Sequence, residues 1–63
     1  MAEVTNANGK KIDFGAAVNL MDDVIREALA GIESEQDFFD AYSEEHLRVF
    51  GVEWELSKAN PGW

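Results

Sequence analysis

The stretch Ser34-Glu35-Gln36-Asp37-Phe38-Phe39-Asp40-Ala41-Tyr42-Ser43-Glu44-Glu45-His46-Leu47-Arg48-Val49-Phe50-Gly51 decides how the chain is read. At about 100° per residue, Phe38, Phe39, Tyr42, His46, Val49 and Phe50 fall on one arc of a helix. Ser34 is placed to cap the amide of Asp37, and Glu35 and Asp37 suit the positive first turn. Gly51 stops the helix, and Arg48 in the last turn complements its dipole.

Upstream, residues 15–30 keep the helical period. Ala17, Val18, Met21, Val24, Ile25, Ala28 and Leu29 share one side, and Asn19, Asp22, Asp23, Arg26 and Glu27 the other. The pattern predicts one continuous helix, with Asp13 as N-cap, Gly31 as the residue past its end, and Arg26 paired with Asp22. Further upstream, Asn6-Ala7-Asn8-Gly9 is a hairpin-turn signal between residues 3–5 and 10–14. In the second of these segments Ile12 and Phe14 alternate with Lys11 and Asp13, as in a half-buried strand. Downstream of Gly51, Val52, Trp54 and Leu56 alternate with Glu53 and Glu55, the pattern of a third strand. The expected order is β-β-α-α-β. It makes a small two-layer α+β domain, a three-stranded antiparallel sheet packed against two helices.

At 63 residues there is room for one domain, 1–63, with residues 57–63 expected to form a flexible tail around Asn60-Pro61-Gly62. The predicted core is Phe14, Phe38, Phe39, Tyr42, Phe50 and Trp54 with Val18, Met21, Ile25, Leu29, Val49 and Leu56. A monomer or small homodimer is expected. With no cysteine, neither disulfides nor a thiolate metal site can hold the chain together. No apolar run approaches the roughly 20 residues that span a bilayer, and no basic segment leads an apolar one as in a signal peptide. The expected location is therefore the cytoplasm, away from membrane.

Thirteen acidic side chains against five basic ones give a net charge of -8. Direct nucleic-acid binding is disfavoured, because phosphate contacts need Lys and Arg. His46, the sole histidine, reads as a packed, hydrogen-bonded side chain, since no recognisable triad pattern supplies a partner. No catalytic residue, metal site or cofactor is expected. The acidic pairs lack the calcium-loop spacing, and adjacent helical acids diverge by about 100°.

Charge distribution is more informative. From Glu33 to Glu45 there are six acids and no base. Asp37, Asp40 and Glu44 make a stripe on the second helix, opposite its aromatic arc. Glu53 and Glu55 form another pair, spaced about 7 Å on a strand, close to the separation of phosphates along a nucleic-acid strand. Such a face is either simply solvated or docks on a basic groove that normally holds nucleic acid.

Ala17-Val18-Asn19-Leu20-Met21-Asp22-Asp23, Ile25-Arg26-Glu27, Glu35-Gln36-Asp37-Phe38-Phe39-Asp40-Ala41-Tyr42, His46 and Phe50-Gly51 together carry a resemblance over residues 12–55. The chain resembles small acidic proteins of bacterial phages and other mobile elements, and its acidity is similar to that of the DNA-mimicking anti-CRISPR class. The resemblance implies a non-enzymatic inhibitor in a bacterial host cell, whose partner is a basic nucleic-acid-binding protein, a CRISPR-Cas effector subunit. The expected contact set is Glu35, Asp37, Asp40, Glu44 and Glu45, with Asp22, Asp23 and Glu27 as a second edge. A competing expectation is an antitoxin-like or regulatory protein that binds its partner through an apolar patch around Leu20, Leu47, Trp54 or Trp63. A phage assembly component would instead self-associate, and an enzyme would depend on His46.

Overall fold

Asn6 organises the first element. Its side-chain oxygen accepts from the amides of Asn8 and Lys10, each at 2.9 Å. The Asn6 carbonyl accepts from Gly9, and the Asn6 amide donates to Lys10. This closes a three-residue loop in which Gly9 takes φ 80°, the left-handed bulge position that glycine adopts without steric cost. In the computed structural model, which describes residues 2–57, the loop joins β1 (Glu3–Thr5) to β2 (Lys11–Asp13). The antiparallel register pairs Val4 with Ile12.

Three helices follow: α1 (Phe14–Asn19), α2 (Asp23–Ala28) and α3 (Glu35–Phe50). The single helix expected over 15–30 is thus two. Asp13 caps α1 as expected, accepting from Ala16 at 3.0 Å. Asp22 then turns extended and caps α2 through Val24 and Ile25. In an unbroken helix the Asp22 amide would donate to Val18. Here it donates to the Tyr42 hydroxyl at 2.7 Å, a bond from α3 that secures the break. Two further details differ. Arg26 pairs with Asp23 at 2.8 Å rather than with Asp22. Gly31 does not take a left-handed conformation, and α2 already ends at Leu29. For α3 the expected caps hold: Ser34 Oγ accepts from Asp37, and Gly51 sits at φ 76°.

The three-stranded sheet is not formed. Among the described residues the sheet has two strands, and the segment after Gly51 is irregular, closing in a 3-10 turn, η1 (Glu55–Ser57). The physical reason lies at the outer edge of β1. Thr5 would offer its amide and carbonyl there to a third strand. Both are taken by the Gln36 side chain, its oxygen accepting at 2.8 Å and its amide donating at 3.0 Å. The returning segment is held by other means. His46 Nδ1 donates to the Val52 carbonyl at 2.8 Å, and Asn6 Nδ2 donates to the Leu56 carbonyl at 2.9 Å. The fold is therefore α+β with a β-β-α-α-α order and a two-stranded sheet.

Val4, Ala17, Met21, Ile25, Phe39, Tyr42 and Trp54 form the buried cluster, with Ile12, Phe14, Val18, Leu29, Phe38 and Leu56 packed around it. Trp54 meets the rings of Phe39 and Tyr42 at 5.4 and 4.5 Å. Val49 and Phe50, expected in the core, are about half exposed. The Phe39, Tyr42 and Trp54 rings close the core before the last turn of α3 reaches it. Of the expected tail only Ser57 lies within the described residues, and its amide donates to Trp54.

Asn6 is the one buried polar side chain among the described residues, and it ties the hairpin to the C-terminal segment. Replacing it by Ala strands the Leu56 carbonyl and two loop amides. The expected cost is about 2 kcal/mol, read as a lowered urea midpoint. A midpoint equal to wild type would show that the hairpin and the C-terminal segment stand without this tie.

Candidate functional site

The amphipathic repeat that buries Phe39 and Tyr42 leaves the opposite side of α3 in solvent. Asp37, Asp40 and Glu44 occupy that side and are all exposed. One flank of the stripe borders a groove of about 540 Å³ between the hairpin loop, α3 and the segment after Gly51. Its floor includes Phe39 and Leu47, and its carboxylates are Asp40, Glu44 and Glu53. Among the described residues no Lys or Arg lines it. Asp40 accepts from the Gln36 amide at 3.1 Å, the same amide that secures β1, so its carboxylate is tied to the fold. Glu44 and Glu53 have no hydrogen bond or ion pair among the described residues.

On the other flank of α3, Glu27, Glu33 and Glu35 surround a second groove of about 460 Å³, over Phe14, Val18 and Phe38. This one also includes Arg26, whose guanidinium is 2.8 Å from Asp23 and 3.4 Å from the Val18 carbonyl. The two grooves therefore differ in sign balance. Among the described residues the first presents carboxylates without a cation, and the second mixes them with one.

The eight acids singled out in the sequence take different positions. Asp22 is engaged as the α2 cap, and Asp23 is paired with Arg26. Glu45 is paired with Arg48 in the last turns of α3. The Arg48 guanidinium, hydrogen-bonded to Glu45, holds that carboxyl below the usual carboxylate range, and Glu45 in turn raises Arg48. A lowered carboxylate stabilises the fold above its ordinary range, and the contribution is lost as pH falls through the folded value. Both groups are solvated, so the effect is small. Glu27, Glu35, Asp37 and Glu44 carry no such bond among the described residues. Asp40 and Glu44 come together with Glu53, and Glu27 and Glu35 with Glu33. Glu53 and Glu33 were visible in the sequence as acids. Their membership of the grooves depends on how residues 29–34 and 52–57 pack.

Among the described residues no three His, Asp or Glu side chains stand close enough to hold a metal ion. The carboxylates are spread over a surface instead of converging on a point. Among the described residues no helix is long and apolar enough to cross a membrane. His46 lies between the rings of Tyr42 and Phe50, at 6.0 and 4.7 Å, and its Nδ1 is engaged by Val52. These contacts hold it at the end of α3. Of the apolar residues proposed as a patch, Leu20 and Leu47 are exposed, but Trp54 is buried at 5% exposure. Trp63 lies outside the described residues.

The family model of anti-CRISPR protein AcrIC5 matches residues 5–54, from the end of β1 to Trp54. The matched span contains α3 and every groove carboxylate named above. No curated protein matches the chain.

Proposed function

Because the chain belongs to the AcrIC5 family of anti-CRISPR proteins, an inhibitor that acts on a CRISPR-Cas component, we propose that it inhibits by charge competition. Its carboxylates occupy Lys and Arg side chains with which an effector subunit holds nucleic-acid phosphate. No bond is made or broken, and inhibition is by occupancy in the cytoplasm of the bacterial host. Arginine is the favoured partner, because its planar fork takes carboxylates bidentately.

The observation that carries this reading is the groove in which Asp40, Glu44 and Glu53 line one concavity, with no basic residue in its lining among the described residues. A concave surface lined by carboxylates attracts a cationic partner of matching shape. Asp37 continues the face along α3, and Glu35 and Glu27 extend it on the second flank. Asp22, Asp23 and Glu45, already engaged within the fold, contribute chiefly to the long-range field. That field steers encounter and weakens with salt.

Competition has an equilibrium signature. A purified CRISPR effector complex whose target-DNA binding the chain blocks is titrated with DNA at several fixed concentrations of the chain. The apparent Kd for DNA is expected to rise in proportion to the chain, with full binding recovered at saturating DNA. A reduced plateau with unchanged Kd would exclude shared occupancy of one surface.

A further inference from the structure

The last turn of α3 ends in apolar side chains that the core does not use. Leu47, Phe50 and Val52 are 48%, 49% and 59% exposed. Leu47 and Phe50 are three residues apart and share a helix face. Large apolar side chains left exposed together at one end of a helix are where contact surface is sought. The arrangement is also fixed in place. Gly51 at φ 76° turns the chain out of the helix, His46 Nδ1 holds the Val52 carbonyl, and the His46 ring lies 4.7 Å from that of Phe50. A preformed patch loses little conformational entropy on binding.

Leu47 also lines the carboxylate groove, so this end of α3 meets the acidic groove at Leu47. Charge decides what covers it. A second copy of the chain would bring Glu44 and Glu53 of one molecule toward the same acids of another, and both molecules carry -8. A basic protein meets the carboxylates with opposite charge.

We propose that Leu47, Phe50 and Val52 form a salt-independent half of the inhibitory interface, docking on an apolar strip beside the phosphate-binding groove of the CRISPR-Cas component. This rests on the charge-competition reading and adds a separable contribution to it. The carboxylates set association rate and salt dependence, and the apolar turn sets residence time.

The test is the affinity of the chain for a purified CRISPR effector complex that it blocks, measured between about 0.05 and about 0.5 M salt. The variants are L47S/V52S and E44Q/E53Q, each checked for a wild-type melting temperature. L47S/V52S is expected to weaken binding about tenfold at every salt concentration with an unchanged salt slope, since water-excluding contact does not depend on ionic strength. E44Q/E53Q is expected to flatten the slope. Affinity of L47S/V52S within twofold of wild type throughout would overturn the apolar proposal and leave charge competition standing. An unchanged slope in E44Q/E53Q would overturn charge competition itself. Self-association of the wild-type chain, abolished in L47S/V52S, would assign the patch to a second copy and overturn the proposal.

Discussion

Reversing Glu44 and Glu53 to Lys is expected to weaken inhibition of effector–DNA binding by at least about 100-fold while the melting temperature holds. Each substitution removes an attraction and installs a repulsion. Two charge contacts worth roughly 1.4 kcal/mol apiece already amount to a factor of about 100. These positions are chosen because neither side chain has a hydrogen bond or ion pair among the described residues. The triple change of Asp37, Asp40 and Glu44 to Lys should also abolish inhibition, but it disturbs more of the fold. Asp40 shares the Gln36 amide with β1, and Asp37 sits in the favourable first turn of α3. The readout is DNA occupancy of a purified effector against chain concentration. Inhibition by E44K/E53K at wild-type concentrations would remove the groove from the mechanism. A loss confined to high salt would contradict an electrostatic role, because screening acts in the opposite sense.

The largest effect on the fold is expected from Phe39→Ala. Phe39 is 1% exposed and packs on Trp54, in the small set of rings that closes the core. Truncating a buried Phe costs about 3–5 kcal/mol. A single core in a domain of this size rarely supplies more than about 3–5 kcal/mol in all. The variant is therefore expected to be largely unfolded at 25 °C, seen as loss of near-UV circular dichroism and of a cooperative urea transition. Phe50→Ala is the matched control. Its ring is half exposed, so the same truncation should cost about 1 kcal/mol or less. Equal destabilisation by the two changes would mean that the end of α3 belongs to the core after all.

These expectations separate residues that periodicity had grouped together. On the α3 helical wheel, Phe39, Tyr42 and Phe50 share one arc, and nothing in the spacing says where along its length the helix stops touching the core. That is set by Trp54, which returns from beyond Gly51 to fill the space against Phe39 and Tyr42. The groove carboxylates behave the same way. The stripe Asp37, Asp40, Glu44 is a matter of helical spacing, whereas Glu53 joins it only because residues 52–57 fold back over the hairpin loop.

The chain by itself determined whatever depends on neighbours within a few residues. The Asn6–Gly9 hairpin loop, the Asp13 and Ser34 caps, the left-handed Gly51 and the acidic outer side of α3 all follow from local hydrogen bonding and helical period. Tertiary structure decided the rest through contacts between distant groups. The Tyr42 hydroxyl takes the Asp22 amide and secures the break between two helices. The Gln36 side chain occupies the β1 edge and leaves residues 52–54 no strand to join. In both cases a side chain satisfies a backbone group that local pattern assigns to secondary structure. Such a substitution is open to any polar residue that packing brings within reach.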